Sequence, residues 1–355
     1  MKKVFVGLSG GVDSSVSALL LKQQGYNVTG VYMKNWSRDL PGHHCPWRED
    51  YQDAKRIAVQ LGIPFKMYDF EKDYKHKVVD YMLAEFKAGR TPNPDVMCNQ
   101  EVKFKLFLET ALEDGADMIA TGHYARVEHR AQSSELRKAK DENKDQTYFL
   151  YRVTKEALAK TIFPLGDLTK PQVRELAKKY KLATADKKES MGICFVGKVG
   201  IKDFLMNYVK TKAGKIINQN GEVIGEHDGA IFYTIGQRHG LEVGGGLPYY
   251  VTGKDMKQNE VYVTTDISDG QLWSREIKLT DTHWINSEDS RLETRVSSLT
   301  VRTRHLGKLI PVKKLNPSKA DRLVIELDED VRALTPGQSA VLYGGNVCLG
   351  GGIIT

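Results

Sequence analysis

Three stretches of this 355-residue chain carry side chains whose types and spacing could do chemistry. The first is Ser9-Gly10-Gly11-Val12-Asp13-Ser14. It follows the apolar run Val4-Phe5-Val6-Gly7-Leu8, which reads as a buried strand. It precedes Val16, Leu19 and Leu20 at helical spacing, with Gly25 as a stop. A strand, a glycine-rich turn and a helix start together bind phosphate: glycines let backbone N–H groups approach the anion, and the helix N-terminus adds partial positive charge. No Gly-Lys-Ser/Thr is present, so this is not the Walker-type loop. The second stretch is Thr91-Pro92-Asn93-Pro94-Asp95-Val96-Met97-Cys98-Asn99. Two prolines stiffen it, and a helix beginning after Pro94 would turn Asp95 and Cys98 to one face. A cysteine at such a helix start is expected to have a lowered pKa and to be more thiolate. The third is Met191-Gly192-Ile193-Cys194-Phe195. Taken alone, the second and third are equally ordinary settings for a buried structural cysteine.

Elements must position these groups. Asn27–Met33, Pro64–Phe70 and Met118–Gly122 read as further strands. Asp50–Leu61, Tyr74–Lys87 and Val102–Leu112 read as helices, as does Thr169–Lys181 with a Thr169/Gln172 capping box. The alternation predicts an α/β fold with a doubly wound parallel sheet, in which ligands sit at the carboxyl ends of strands. Ser9–Ser14, Met33 and Gly122-His123 would gather there. Glu128–Asn143 is polar without a clear period and predicts a mobile loop. From about Ala213 short β-branched and aromatic runs alternate with Gly/Asn/Asp turns, including the hairpin signal Asn220-Gly221. That half predicts mostly-β central and C-terminal domains, including a small β-barrel. The expected division is 1–210, 211–280 and 281–355.

The composition, 41% hydrophobic and 27% charged, is that of a globular protein, and no apolar run is long enough to span a bilayer. The opening Met-Lys-Lys-Val-Phe-Val lacks a signal-peptide core, which predicts a cytoplasmic chain with no membrane partner. The four cysteines (Cys45, Cys98, Cys194 and Cys348) form no C-x-x-C pair, so neither a zinc ribbon nor a static disulfide framework is expected, and no metal ligands are named. The neighbourhood of Cys45, His43-His44-Cys45-Pro46-Trp47, reads as an irregular loop, and Cys348 as core. Charge is unevenly placed: Lys144–Lys215 holds 16 Lys and Arg against 7 Asp and Glu, whereas the whole chain is only +7. A polyanion-binding face would need such an excess, and a solvated lysine-rich surface would also show it.

Six ordered segments carry a resemblance over nearly the whole chain: Gly7–Ser14; Pro92–Asn99; Thr121-Gly122-His123-Tyr124-Ala125; Lys144-Asp145-Gln146-x-Tyr148-Phe149-Leu150; Gly192-Ile193-Cys194-Phe195; and Tyr233-Thr234-Ile235-Gly236-Gln237-Arg238. The first resembles the pyrophosphate loop of the ATP pyrophosphatases, whose fold is adenine nucleotide α-hydrolase-like. Together they resemble the tRNA-specific 2-thiouridylases, which convert the 2-oxo group of a wobble uridine to a 2-thio group.

That resemblance implies roles. Gly7, Leu8, Ser9, Gly10, Gly11, Val12, Asp13 and Ser14 would hold ATP, with Met33 and Gly122 lining the nucleotide and Mg²⁺ expected on charge grounds. Asn93, Pro94 and Asp95 would face a flipped-out uridine. His123, Lys144, Asp145 and Gln146, with Arg304, His305 and Gln338 in the C-terminal part, would contact tRNA. Catalysis would rest on Cys194 as a persulfide, Cys98 as the second thiol forming a transient disulfide with it, and Asp95 as general acid/base. Implied partners are tRNAs for Lys, Glu and Gln and a sulfur donor, either a relay protein or a cysteine desulfurase; a monomer is the default. The competing readings are another ATP pyrophosphatase making an amide or C–N bond, a non-enzymatic RNA-binding protein, and a two-cysteine redox protein.

Overall fold

The structure is a computed structural model, and it describes all residues except 40–43, 130–132, 189–199, 242, 245, 247, 287–295 and 320–321. The N-terminal part contains β1 (Lys3–Gly7), β2 (Asn27–Lys34), β3 (Phe65–Asp69), β4 (Met118–Ala120), the hairpin β5 (Ala125–His129) and β6 (Ser134–Lys138), and β7 (Thr161–Ile162). Five of these form a parallel sheet in the order β3-β2-β1-β4-β7. Val4, Phe5 and Val6 are buried on both faces of β1, as a continuous apolar run in the middle of a parallel sheet requires. The chain leaves β1 toward β2 on one side and reaches β4 on the other, so the ends of β1 and β4 flank the switch-point crevice.

Helices cover both faces. Val12–Gln23, Trp47–Leu61 and Lys170–Lys179 pack on one side. Trp47–Leu61 buries Ala54, Ile57, Ala58 and Leu61 and stops at Gly62, whose φ of 59° is left-handed. Lys170–Lys179 starts at the expected Thr169/Gln172 capping box. On the other face lie helical stretches 71–87 and 94–113, longer than the sequence pattern suggests because each contains a π segment, Lys75–Val79 and Cys98–Leu106, that breaks the 3.6-residue period.

The central part holds β8 (Gly214–Ile217), β9 (Val223–His227), β10 (Tyr250–Asp255) and β11 (Glu260–Thr264) in a four-stranded sheet around Ile216, Val251 and Val261. The C-terminal part holds β12 (Trp273–Trp284), β13 (Leu299–Arg302), β14 (Ile310–Lys319), β15 (Arg322–Arg332), β16 (Ser339–Gly344) and β17 (Val347–Ile354). Their order β12-β15-β14-β13-β16-β17 closes through β17–β12 pairing into a six-stranded antiparallel barrel. Position 280 falls inside β12.

One expectation is corrected. The expected loop Glu128–Asn143 contains most of the β5–β6 hairpin, paired from Ala125↔Lys138 to His129↔Ser134. Its second strand, β6, extends the barrel sheet, with Arg137 and Leu136 opposite Val347 and Cys348 of β17, and β5 lies at the edge. The polar sequence hid the strands because their support comes from a partner some 200 positions away rather than from their own apolar period.

Candidate active site

The loop after β1 is held by its own hydroxyls and glycines. Leu8 N–H donates to the Val31 carbonyl at 2.7 Å, which fixes the exit of β1. Ser9 N–H donates to Ser14 Oγ at 3.2 Å, and Ser14 Oγ donates to the Gly11 carbonyl at 3.1 Å. Gly10 has φ +75°, and a Cβ there would stand 2.4 Å from the Asp50 carbonyl oxygen. Gly11 caps the helix Val12–Gln23 without any side-chain cap, so its first N–H groups face the cleft. A Cβ on Gly122 would stand 2.8 Å from Ser14 N, and one on Gly7 would stand 2.9 Å from Met33 Cε. Both residues expected beside the nucleotide therefore sit against the loop.

Asp13 is pinned rather than free. Lys170 Nζ donates to both its carboxylate oxygens at 2.8 Å, and the Tyr124 hydroxyl donates to Oδ1 at 3.0 Å. Sequence reasoning missed Lys170, whose only signal was its place at the first turn of a capped helix. The loop opens into a cavity of about 330 Å³ lined by Ser9, Gly11, Val12, Asp13, Tyr124, Asn143, Lys144, Gln146, Lys170, Lys188, His305 and Leu306. Glycine backbone, an uncapped helix start and three lysines fit a polyphosphate.

Asp95 and Cys98 lie at the start of the second helical stretch. Asn93 caps it, its Oδ1 accepting from Val96 N–H at 3.4 Å, with Pro94 at the first helical position. Asn99, in the next turn, donates from Nδ2 to the Phe149 carbonyl at 3.1 Å. Tyr148 and Phe149 follow one residue after Lys144-Asp145-Gln146, so one short segment joins the phosphate cavity to the Asp95–Cys98 helix start. Burial pushes the Asp95 carboxyl up, with Lys103 opposing. The expectation of a lowered Cys98 pKa is corrected: the thiol is 5% exposed and burial pushes its pKa up, while Lys103 and a hydrogen bond with Tyr74 pull the other way. A helix start helps a thiolate only where water or charge also reaches it, and here the sulfur is packed in the core. Cys194 lies outside the described residues.

A family model described as a tRNA methyl transferase HUP domain matches residues 2–198, one described as a tRNA methyl transferase PRC-barrel domain matches 202–265, and one described as an aminomethyltransferase beta-barrel domain matches 274–354. The chain is 48% identical over 353 residues to a tRNA-specific 2-thiouridylase of Bacillus subtilis, covering 99% of this chain and 94% of the relative. It is equally similar to the Bacillus cereus enzyme of the same name. This chain belongs to the tRNA-specific 2-thiouridylase family. Solved structures are more distant: a 4-thiouridine synthetase–RNA complex with bound ATP is 18% identical with TM-score 0.38, covering 58% of this chain and 50% of that one. The NMN synthetase of Francisella tularensis is 18% identical with TM-score 0.36, covering 59% of this chain and 73% of that one.

The positions that the 2-thiouridylase resemblance assigns to tRNA fall into two groups. Lys144, Gln146 and His305 line the cavity, and Arg304 is exposed beside it. His305 lies against Phe149, tilted, with ring centroids 4.3 Å apart, and its buried Nδ1 has no partner among the described residues. Asp145, His123 and Gln338 are instead engaged internally. The Asp145 side chain is 2% exposed and pairs with Arg302 of β13 at 3.0 Å while accepting from Ala139 N–H and the Thr147 hydroxyl. It clamps the barrel to the parallel-sheet part. Gln338 Nε2 donates to the carbonyls of Thr91 at 2.8 Å and Pro92 at 3.2 Å, and Thr91 N–H donates to the Pro336 carbonyl at 2.8 Å. The basic excess is also partly spent: Lys170, Lys187, Arg152 and Lys202 are paired with Asp13, Asp50 and Asp53, Asp281 and Asp228.

Among the described residues, no group of three or more His, Cys, Asp or Glu is gathered to hold a metal ion. Cys45 is buried within an otherwise largely exposed irregular segment, its N–H donating to Asp39 at 2.8 Å, and Cys348 is buried in β17. Among the described residues no helix is long and apolar enough to cross a membrane.

Proposed function

We infer that this chain is an ATP-dependent sulfurtransferase that replaces the 2-oxygen of a tRNA uridine with sulfur. One observation carries the reading: residues 144–149 connect a lysine-lined polyphosphate cavity directly to a helix start bearing a carboxyl and a thiol. A ligase forming an amide would need the cavity but not the thiol.

ATP, when bound, supplies the AMP that makes the uridine 2-oxygen a leaving group, and Mg²⁺ accompanies its phosphates. The glycine loop and the start of Val12–Gln23 hold the phosphates by backbone N–H groups, with Lys144 and Lys188 at the rim and Lys170 fixing Asp13. Asp95, with its carboxyl pKa raised by burial, can hold and move a proton at the base. Asn93 and Pro94 face the base; Lys144, Gln146, Arg304 and His305 contact the RNA around it. Cys194 carries the persulfide, whose terminal sulfur bonds to the ring carbon as AMP leaves. The Cys98 thiolate then attacks the Cys194 sulfur; the bond to the transferred sulfur breaks, and a Cys98–Cys194 disulfide remains for an external thiol to reduce. The substrates are the wobble uridines of tRNAs for Lys, Glu and Gln, the sulfur comes from a relay protein or a cysteine desulfurase, and the setting is the cytoplasm.

The test is a product assay with unmodified tRNA-Lys transcript, Mg²⁺, ATP labelled on its α- and γ-phosphates, and a persulfide-generating cysteine desulfurase as sulfur source. AMP and pyrophosphate that appear only with tRNA support the reading. ADP as product, or AMP formation indifferent to tRNA, would overturn it.

A further inference from the structure

The helical stretch that begins at Pro94 widens to π geometry between Cys98 and Leu106. In an α-helix, residues five apart point about 140° away from each other. In a π segment, bonded i to i+5, they stack on one side. The widening therefore brings Lys103 to the side of the helix that carries Cys98. Lys103 is not assigned by any of the motifs above, yet among the described residues it is the cation that acts on Asp95, Cys98 and His123 alike.

Its ammonium is aimed. Lys103 Nζ lies 3.4 Å from His123 Nε2, and an ammonium can only donate. Nε2 is therefore the acceptor nitrogen, and the ring proton sits on Nδ1, which donates to Thr121 Oγ1 at 2.8 Å. The ring is wedged between Phe104 and Phe163, with centroids 5.7 and 6.1 Å away. Burial, with the Lys103 charge, holds the His123 pKa well below its ordinary value, so the imidazole is neutral and does not repel the ammonium. Thr121 and His123 thus form a two-residue rest for a lysine that would otherwise swing to solvent.

We propose that Lys103, steered by Thr121 and His123, is the positioning residue that lets Asp95 and Cys98 carry negative charge inside a buried site. The inference rests on the roles given to Asp95 and Cys98 above, but its test does not. The groups that act on the Cys98 thiol are Tyr74 from the stretch 71–87 and Asp95 and Lys103 from its own stretch, and Lys103 is in turn held by His123. Of these, Lys103 alone supplies a full positive charge.

The experiment is a thiolate titration by ultraviolet absorbance difference between each protein and its Cys98→Ser counterpart, without ATP or tRNA. It needs no reagent to reach the buried sulfur. Lys103→Met is expected to move the Cys98 midpoint up by about one pH unit, a tenfold lower thiolate fraction at fixed pH. Lys103→Arg should restore most of it, and His123→Leu should move it the same way by less. Lys103→Gln, whose amide still reaches His123, gives the same readout if the methionine variant does not fold. A Cys98 midpoint unchanged in either neutral variant would overturn the proposal. AMP formation with tRNA is measured in parallel on wild type, so failure of the thiouridylase reading is seen separately.

Discussion

Gly10→Ala tests whether the loop geometry described above is required for ATP binding, and Gly25→Ala is its internal control. Both glycines have left-handed φ, +75° and +84°, and both flank the helix Val12–Gln23. A non-glycine residue in that region costs about 1–2 kcal/mol, and alanine recovers about 0.4–1 kcal/mol by restricting the unfolded chain. A Cβ on Gly25 would meet nothing within 4 Å, so its substitution should cost about 1 kcal/mol or less. At Gly10 the added carbon would lie 2.4 Å from the Asp50 carbonyl oxygen and 3.0 Å from the Asp50 Cα. That backbone is held by Lys187, which bridges Asp50 at 2.7 Å and Asp53 at 2.6 Å, so it cannot turn aside as a side chain would. Overpacking of this kind adds about 1–3 kcal/mol. Urea unfolding followed by circular dichroism, compared between variants in the same domain, should place Gly10→Ala about 1–3 kcal/mol below Gly25→Ala. Calorimetry should show at least a tenfold loss of ATP affinity for Gly10→Ala and none for Gly25→Ala. Equal stability losses with equal ATP affinity would refute the contact argument.

Other consequences follow from single interactions. Lys170→Met removes the ion pair that holds Asp13 and should raise KM for ATP by about tenfold, roughly 1.4 kcal/mol of binding, read in steady-state pyrophosphate release; an unchanged KM would deny Lys170 a part in shaping the loop. Arg302→Met strands the buried Asp145 carboxylate, a change that costs about 3–5 kcal/mol when a buried pair is broken, and should expose the junction between the barrel and the parallel-sheet part to limited proteolysis. Gln338→Leu leaves the Thr91 and Pro92 carbonyls without their donor, so kcat should fall with KM for tRNA unchanged; the opposite split would make Gln338 a direct RNA contact. Burial raises the Asp95 pKa above its ordinary 3.8, so the folded state binds that proton more tightly than the unfolded chain. Stability from this group is full below the unfolded pKa and is lost as pH rises through the raised one. Asp95→Asn should therefore be more stable than wild type at neutral pH while losing thiolation, as thermal melts across pH would show.

Much of this arrangement is legible from local sequence because its chemistry is local. Ser9–Ser14 is short, its glycines are forced by φ and close approach, and strand, loop and helix are contiguous. The capping box at Thr169 and Gln172 and the helix start at Pro94 are likewise set by neighbouring residues. What escaped depends on partners far away in the chain. The β5–β6 hairpin reads as a polar loop until β17 is placed beside it. Asp145 and Gln338 are expected at the RNA from the resemblance alone; that Asp145 also pairs with Arg302 of β13, and Gln338 with the Thr91 carbonyl, is set by residues far away in the chain. The raised Cys98 pKa needs the core packed between the sheet and the stretches 71–87 and 94–113, and the alignment of Lys103 with Cys98 needs a π segment that no 3.6-residue pattern reveals.

The central claim, that this chain moves sulfur onto a tRNA uridine through two thiols, is tested most directly by mass spectrometry of nucleosides from tRNA-Lys transcript incubated with the protein, ATP, Mg²⁺ and a persulfide-generating cysteine desulfurase. Wild type should yield 2-thiouridine, and Cys98→Ala and Cys194→Ala should yield none beyond background. Absence of 2-thiouridine from folded wild-type protein, or full product from both cysteine variants, would contradict it.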